Sequence, residues 1–397
     1  MQAGQLLSSA GTQASSIAYP LLVLALTGSP TRAGAVAFAR AAPMAAFALP
    51  AGLAADRWNR RSLMIGADVV RAIALGVLAS FILRHDLTFW VIPAVAFIEG
   101  SGSALFAASH AGAVRAVVPV VQLPDATAAQ AGRQAAVQLA GPSLGGALFG
   151  VARALPFVTD AASYAFSTVS LLAMRTPFQQ ERARDEASTR AKLAEGFRYL
   201  WSQPFLRTCA LIFGLGNFII PGVMLALVVI ARQHGLSSGE TGGLVAIIGA
   251  SLLVGSFLST VLRRLLSTRV IILLELWTWL GCAAFLVWPS VYVLTACVSL
   301  TALAIPSTDS VVHGYRIAMT PDRLLGRAEA VRSTISLAIA PFGPLVAGVL
   351  LATTSARATI GFFAAAGVAL AVWGTTSASI RGAPDLTELG LDSIHVY

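Results

Sequence analysis

The composition of this chain is that of a protein embedded in a membrane. It has 397 residues, of which 56% are hydrophobic and 11% are charged, and its mean hydropathy is +0.77. Because soluble domains carry about 25% charged residues, a soluble enzyme and a soluble nucleic-acid-binding protein are both excluded. The net charge of +9 therefore needs another explanation.

Twelve segments are long and apolar enough to cross a bilayer as helices, each of which needs about 20 mainly apolar residues. Their Gly-, Ala- and Leu-rich composition favours helices over barrel strands, which alternate over about ten residues. The predicted spans are 4–26, 33–55, 62–83, 88–114, 127–151, 155–174, 205–231, 240–262, 269–288, 290–313, 325–352 and 356–379. The sequence therefore predicts an all-α membrane protein with twelve transmembrane helices.

The distribution of basic residues predicts the orientation. If the N-terminus is cytoplasmic, the inner loops and tail hold eighteen of the 27 lysines and arginines, the outer loops hold five, and four lie inside spans. Cytoplasmic loops carry such an excess of positive charge. We therefore predict a multi-pass protein of the cell (inner or plasma) membrane with both termini in the cytoplasm. The membrane topology therefore explains the positive net charge of the chain, and no nucleic-acid partner is expected.

A cluster of charges lies between the second and third spans, in GLAADRWNRR at residues 52–61. Asp56 is placed where the second span meets the cytoplasm, near a helix N-terminus and guanidinium groups. The basic neighbours expected to stay in water on the inner side are Arg57, Arg60 and Arg61.

Ionisable residues inside spans are costly and are therefore functional candidates. Glu99, near mid-depth of the fourth span, is the first candidate for a proton-titrating acid, because burial favours the neutral form of a carboxyl group. Alternatively, Glu99 is a structural carboxylate that pairs with an arginine or is capped by Ser101 or Ser103. Arg40 in the second span is its partner, a substrate contact, or a side chain that extends to the outer surface.

Other spans carry further ionisable groups. Asp68 and Arg71, three residues apart in the third span, are expected to form a pair within one helix. Asp160, near the outer end of the sixth span, is a helix cap or part of an outer gate. Asp309 and His313, four apart in the tenth span, are either a second protonation site or hydrogen-bonded structure.

The fifth span contains GPSLGG at residues 141–146. Pro142 removes a backbone donor and bends a helix. Gly141, Gly145 and Gly146 let a neighbouring helix approach closely. The segment is either a hinge in a moving helix or ordinary small-residue packing.

One long hydrophilic interruption, residues 175–203, divides the spans into six and six. Its charged and apolar residues predict an amphipathic helix on the cytoplasmic surface, acting as a tether or as a regulatory or docking element. The predicted domains are an N-terminal six-helix bundle at 1–174, a cytoplasmic linker at 175–204, a C-terminal six-helix bundle at 205–380 and a cytoplasmic tail at 381–397.

The two halves show weak internal similarity. Arg133 and Pro142 recur 199 residues later as Arg332 and Pro341. Two parallel six-helix repeats form a pseudo-symmetric transporter architecture, with the substrate site between the halves near the bilayer midplane. Arg133 and the Glu329/Arg332 pair fall at similar depth, and we interpret them as gate partners.

Two motifs resemble those of the major facilitator superfamily. Residues 52–61 match the motif G-x-L-a-D-R-x-G-R-R between its helices 2 and 3, with Asn59 where glycine is usual. GPSLGG resembles the motif G-P-x-x-G-G of superfamily exporters that exchange drug for proton. The arginine that many such exporters place before the G-x-G of helix 4 is absent before Gly100-Ser101-Gly102, so coupling schemes based on that arginine do not apply.

Longer stretches, LLVLALTGSP at 21–30 and TDAASYAFS at 159–167, look like the macrolide-efflux and enterobactin-export branch. The resemblance implies the major facilitator fold and a latch in which Asp56 and Arg57 hold the two halves together when the protein is open to the outside. Alternatively, these charges only fix the loop on the cytoplasmic side. With the neighbouring charges, the expected cytoplasmic gate comprises Asp56, Arg57, Arg60, Arg61, Asp68, Arg71, Arg133, Glu329 and Arg332.

We therefore predict a secondary active exporter that works by alternating access and proton antiport. Its substrate is a lipophilic or amphipathic small molecule, such as an antibiotic, a macrolide-like metabolite or a siderophore. The alternatives are metabolite uptake, a membrane-embedded enzyme and a non-transporting receptor. An enzyme needs a nucleophile–base pair or metal ligands within the helices, and the sequence contains no HExxH motif.

No metal or cofactor is expected, because the three cysteines lie in predicted helices without metal-ligand spacing. The expected partners are the substrate, protons and the lipid bilayer, and the chain is expected to act as a monomer.

Overall fold

The computed structural model describes residues 2–117, 123–174 and 189–383, and these residues form helices joined by short turns, with no strand among them. The first half of the chain forms α1 (Gln2–Thr27), α2 (Pro30–Ala46), α3 (Ala48–Arg57), α4 (Arg60–Leu83), α5 (Val91–Val117), α6 (Leu123–Val151) and α7 (Leu155–Ala173).

The second half begins with α8 (Thr189–Ser202), which precedes the first long helix of this half. The remaining helices are α9 (Pro204–Gln233), α10 (Ser238–Leu265), α11 (Thr268–Thr278), α12 (Ala284–Val287), α13 (Val291–Met319), α14 (Asp322–Ile339), α15 (Phe342–Thr353), α16 (Ala356–Thr376) and α17 (Ala378–Arg381), with a short 3₁₀ helix, Trp279–Ala283, before α12.

Every predicted span coincides with one of these helices or with a broken pair. Within the described residues, eight helical stretches are long and apolar enough to cross a membrane, or nine if α2 and α3 are one bent span. Two of the eight are composite, one running from α11 through α12 and the other from α14 through α15. Helices α1, α6 and α7 are not among the eight. Helices α1 and α7 contain several hydroxyl-bearing residues, which lower their hydropathy, and in α6 only Ala136–Val151 is counted, as a shorter apolar helix.

Prolines lie at two of the three breaks in the predicted spans, whereas the ninth span changes to a 3₁₀ helix at Trp279–Ala283, a stretch without proline. The second span breaks at Phe47, between α2 and α3. Pro50, four residues after Ala46, has no N–H to continue the helical hydrogen bonds. The eleventh span breaks between α14 and α15, at residues 340–341, where Pro341 and Pro344 both remove donors. By contrast, α6 continues through Pro142 in its interior.

Large apolar side chains cover the outside of the helices. Phe257 is 81% exposed, Val151 79% and Trp90 77%. Only 22% of the apolar segment of α10 is buried within the chain. Exposed apolar surface of this extent marks contact with lipid or with a partner protein. The helices therefore present to lipid the side chains that a soluble fold would bury.

The described residues pack into two compact units. The first comprises Met1–Ala183, Met224–Ile247 and Pro344–Thr353. The second comprises Arg184–Val223, Ile248–Gly343 and Thr354–Tyr397. The predicted halves at 1–174 and 205–380 follow chain order rather than packing, and they stay a prediction.

Candidate functional site

Arg40 and Glu99 form an ion pair that joins α2 to α5 in the first unit, in which Glu99 is buried and Arg40 is partly buried. Arg40 Nη2 lies 2.8 Å from Glu99 Oε1, and Arg40 Nε lies 3.2 Å from both carboxylate oxygens. Glu99 is only 1% exposed. The two helices meet closely because Gly100 has no side chain, since a Cβ there would lie 2.1 Å from the Arg40 carbonyl oxygen. Of the alternatives for Glu99, the arginine-paired carboxylate is the arrangement observed.

Asp68 and Arg71 form the pair expected from their spacing, with Arg71 Nη2 donating to Asp68 Oδ1. Arg71 Nη1 also lies 3.3 Å from Ser103 Oγ on α5. Its guanidinium carbon lies 4.1 Å from the centre of the Tyr164 ring. Gly102 provides the space for this arginine, because a Cβ there would lie 2.7 Å from Arg71 Cγ. The two glycines of the G-x-G segment thus each accommodate one arginine of the network.

Asp160 on α7 has no exposed surface and is bound by hydroxyl groups. Ser15 Oγ on α1 donates to Asp160 Oδ2 at 2.6 Å, and Ser163 Oγ donates to Oδ1 at 3.3 Å. No arginine or lysine among the described side chains forms an ion pair with it. Asp160 is therefore a core residue, and the predicted helix cap is not its observed role.

The turn of α1 from Thr12 to Ser15 connects these groups. The Thr12 carbonyl oxygen lies 3.0 Å from Ser15 Oγ and 3.4 Å from Arg40 Nη2. Thr12 Oγ1 lies 2.8 Å from Tyr164 Oη, and the Tyr164 ring contacts Arg71. Glu99, Asp160 and Asp68 are thereby joined through one continuous network, which we call the buried ionic network.

The α1 hydroxyls of this network were not identified by sequence reasoning, which considered ionisable groups alone. The available signal was the stretch SSAGTQASS at 8–16, an unusually polar run inside an apolar helix. Buried hydroxyl groups require partners, so such a run indicates a polar interior contact.

At the C-terminal end of α3, the charged motif forms local contacts. Asp56 is exposed and lies 3.5 Å from Arg60 Nη2, whereas Arg60 is buried and donates to the Ala55 carbonyl at 3.1 Å. Arg61 donates to the carbonyl groups of Leu171 and Leu172 at the end of α7, at 2.9 and 2.6 Å. Such contacts satisfy carbonyl groups that a helix terminus leaves free.

Asn59, which stands where the motif usually has glycine, does not adopt a left-handed conformation. Asn59 has φ −63° and ψ 115°, an extended conformation. Its side-chain oxygen accepts from the backbone N–H groups of Arg61 and Ser62 at 2.9 and 3.2 Å. Asparagine is therefore favourable here as the N-cap of α4, a role that glycine cannot fill with a side chain.

The GPSLGG segment packs tightly on two sides within the first unit. A Cβ on Gly145 would lie 2.3 Å from the Ala14 carbonyl oxygen of α1, and one on Gly141 would lie 2.6 Å from Gln13. A Cβ on Gly146 would lie 2.3 Å from the Ser238 carbonyl oxygen at the start of α10. The close packing is observed, and the hinge motion stays a prediction.

A second glycine contact joins α2 to α15. A Cβ on Gly34 would lie 2.5 Å from the Pro344 carbonyl oxygen, and the Cα of Gly348 is 3.3 Å away. Thr31 Oγ1 donates to the Gly348 carbonyl at 3.3 Å. The first unit thus holds two helix pairs, α6 with α10 and α2 with α15, in backbone-to-backbone contact.

In the second unit, Glu329 is the centre of a charged cluster. Arg332 Nη2 lies 2.5 Å from Glu329 Oε1, and Arg316 Nη1 donates to Oε2. Arg316 Nη2 also donates to His313 Nδ1 at 2.7 Å. Since a guanidinium has no acceptor, His313 carries no proton on Nδ1 in this arrangement. Sequence reasoning paired Glu329 with Arg332 but did not include Arg316.

A cavity of about 420 Å³ lies beside this cluster. Its charged lining is formed by Asp309, His313, Arg316 and Arg332, and its apolar lining includes Phe213. Asp309 is exposed to this space. The arrangement combines an accessible carboxylate with an apolar wall, as small-molecule sites commonly do.

Two further predictions concern Arg133 and metal binding. The side chain of Arg133 lies outside the described residues, so its gate role stays a prediction. Within the part of the chain that the structure describes, no three His, Cys, Asp or Glu side chains are close enough to hold a metal ion. The free cysteines are buried or partly buried, at positions 209, 282 and 297.

Comparison with known proteins gives a consistent result. A sequence profile described as Major Facilitator Superfamily matches residues 3–274. The chain is 25% identical over 406 residues to the multidrug efflux pump Tap of Mycolicibacterium fortuitum, covering 98% of this chain and 96% of that protein. It is 22% identical over 313 residues to macrolide efflux protein A of Enterococcus faecalis, covering 76% and 95%. A solved bacterial homologue of the iron transporter ferroportin, in an inward-facing state, has the same fold, with a TM-score of 0.71, 15% identity and coverage of 94% and 96%.

Proposed function

Because the chain belongs to the major facilitator superfamily, we propose that it exports a lipophilic or amphipathic small molecule by alternating access, in exchange for protons. Family membership makes it a multi-pass membrane transporter rather than an enzyme. The efflux activity named for its relatives supports export over uptake. The proposal includes two six-helix halves in a monomer, located in the cell membrane with both termini in the cytoplasm.

The charge balance of the buried ionic network is the observation that carries proton coupling. Arg40 has Glu99 as its partner, and Arg71 has Asp68. Asp160 is a third carboxyl group, bound only by hydroxyl groups among the described residues. An uncompensated charge inside a membrane protein is costly, so one proton on Asp160 makes the network neutral.

This balance supplies a mechanism for exchange. When Asp160 is protonated, the network has no net charge and the helices around it pack without penalty. When the proton leaves, the extra negative charge is stabilised by water entering from one side or by a cationic group on the substrate. Proton and substrate then compete for the same charge, and competition of this kind couples their movements in opposite directions. The geometry favours Asp160 over Glu99 as the proton carrier, because Glu99 already has a cation.

Gating is the second component of the proposal. The glycine contacts of α6 with α10 and of α2 with α15 lie near the predicted outer ends of these helices, and we assign them to closure of the outer side. Asp56 and Arg57 are assigned to the inner latch. Both side chains are exposed and are therefore accessible for contacts with the other half. In the second unit, Asp309 and His313 line a cavity and are assigned to the substrate pathway.

Transport in proteoliposomes tests the proposal. Vesicles with an acidic lumen are incubated with a lipophilic cationic dye, a labelled macrolide or a siderophore, while a dye in the lumen reports pH. Export by proton antiport predicts that at least one substrate accumulates in the acidic lumen, that its entry makes the lumen more alkaline, and that a protonophore abolishes both effects. Accumulation only in an alkaline lumen, or without proton movement, contradicts the proposed coupling.

A further inference from the structure

Helix α8 is attached to the second unit through one face. Arg327 Nη1 on α14 donates to Glu195 Oε2, and Tyr199 Oη donates to the Met319 carbonyl at the end of α13. Gly196 lies directly against the backbone of α14, since a Cβ there would be 2.6 Å from the Arg327 carbonyl oxygen. These contacts fix the orientation of α8 on the second unit, so α8 is more than a tether. Its opposite face therefore points away from α13 and α14.

That opposite face carries an exposed aromatic pair. The rings of Phe197 and Trp201 stack at a centroid distance of 4.8 Å, and the two residues are 47% and 39% exposed. They lie one helical turn apart, on the side away from buried Leu200. An aromatic pair is poorly placed in water but suits the boundary between headgroups and acyl chains, where tryptophan is enriched.

The position of α8 along the chain supports that placement. Pro204, two residues after α8 ends, begins α9, a 30-residue helix that is apolar enough to cross a membrane. The start of a membrane-crossing helix lies at the headgroup level. The aromatic pair is therefore beside the lipid headgroups.

Two arginines flank the aromatic pair. Arg198 is exposed on the same side of α8, and Arg207 Nη1 lies 3.4 Å from the Trp201 carbonyl oxygen. From residue 189 to residue 207 the sequence has four basic residues and one acid, Glu195, which already pairs with Arg327. Neither arginine forms an ion pair with a carboxylate among the described residues.

We propose that Phe197, Arg198, Trp201 and Arg207 form a binding surface for anionic phospholipids of the adjacent leaflet, which we call the α8 lipid surface. Guanidinium groups bind phosphate through paired hydrogen bonds, and clusters of basic residues beside a membrane-crossing helix attract anionic headgroups. A zwitterionic headgroup carries its own cation and gains less from the two arginines. This surface is separate from the exported substrate, so it does not depend on the proposed transport activity.

Lipid-specific quenching of Trp201 tests this inference. The full chain is reconstituted with bromine-labelled phosphatidylglycerol or bromine-labelled phosphatidylcholine in otherwise unlabelled bilayers. Subtracting the quenching of a Trp201→Phe variant isolates Trp201 from the other six of the chain's seven tryptophans. Because two arginines near an anionic surface each favour binding, half-maximal quenching is expected at about a 30-fold lower mole fraction of the phosphatidylglycerol.

Variants separate headgroup binding from simple contact with lipid. Arg198→Gln/Arg207→Gln leaves the docking face of α8 unchanged and is expected to make the two lipids equally effective. Arg357→Gln, at the exposed start of α16, is the matched control and is expected to retain the preference. Equal quenching by both lipids in the unmodified chain, or no quenching by either, would overturn the proposal.

Discussion

At the scale of single residues, each guanidinium group of the buried ionic network forms an ion pair with one carboxylate. Arg40 binds Glu99, which is almost completely buried, and Arg71 binds Asp68, which is completely buried. A buried pair of this kind is strongly interdependent, because removing one partner leaves the other charge without compensation. Asp160 differs in having hydroxyl partners, so its charge state can change without breaking an ion pair.

Replacing Arg40 tests that interdependence. Arg40→Gln leaves the Glu99 carboxylate buried and uncompensated, which is expected to cost about 3–5 kcal/mol of folding free energy. The double variant Arg40→Gln/Glu99→Gln is expected to recover most of this loss. Unfolding in mixed micelles by added anionic detergent measures both, with the exposed Arg84→Gln as control. A double variant as unstable as the single one contradicts the pairing.

Asp160→Asn tests the proposed proton carrier. Asparagine keeps an oxygen that accepts the Ser15 hydrogen bond, but it cannot take up or release a proton. We expect pH-driven accumulation of substrate to fall to the level of protein-free vesicles, whereas exchange of substrate at equal pH continues. Asp86→Asn, in the exposed turn after α4, is the control and is expected to behave like the unmodified chain. If Asp160→Asn retains pH-driven accumulation, the carrier is another group.

At the scale of helices, glycines determine how closely the elements approach. On α10, adjacent glycines have opposite surroundings. A Cβ on Gly242 would lie 2.5 Å from the Pro142 carbonyl oxygen of α6, whereas a Cβ on Gly243 would meet no atom within 4 Å. Both positions lie in the same turn of α10, so replacing either glycine by alanine changes the helix propensity equally. Only the Gly242 replacement also changes the contact with α6.

The pair Gly242→Ala and Gly243→Ala tests the contact between α6 and α10. Overpacking at Gly242 forces the helices apart and is expected to cost about 1–3 kcal/mol. The Gly243 variant is expected to be neutral, or to stabilise the helix by about 0.5–1 kcal/mol, because alanine loses less backbone entropy than glycine. Thermal unfolding of the purified variants in one detergent measures both. Equal effects at the two positions would show that α6 and α10 do not pack as described.

At the scale of the whole molecule, charge asymmetry and helix number predict its orientation in the membrane. Asp86 follows α4 and Arg264 lies near the end of α10, and both are exposed. With both termini inside, the first lies on the outer surface and the second on the inner surface. The excess of basic residues on one set of loops is the physical basis of this orientation.

Cysteine labelling tests the orientation. In a chain whose three native cysteines are replaced by serine, a membrane-impermeant thiol reagent is expected to modify Asp86→Cys in intact cells. Arg264→Cys is expected to react only after permeabilisation. The reverse pattern would place both termini outside and would reverse the proposed direction of export.

The sequence by itself determined the membrane-crossing segments and the pairs within single helices. Hydropathy over about 20 residues reflects the thickness of the bilayer, and a spacing of three residues places Asp68 beside Arg71 and Glu329 beside Arg332 on any helix. These features depend on neighbours along the chain, which the sequence lists directly.

Only the tertiary structure decided which helices meet. It selected Arg40 as the partner of Glu99 from the alternatives, brought the α1 hydroxyls to Asp160, and made Asn59 the N-cap of α4. Lipid-facing and helix-facing apolar residues have similar hydropathy, so periodicity does not reveal which face of a span packs against another. The contacts between helices, and hence the unmatched carboxyl group, emerge only when the helices are packed together.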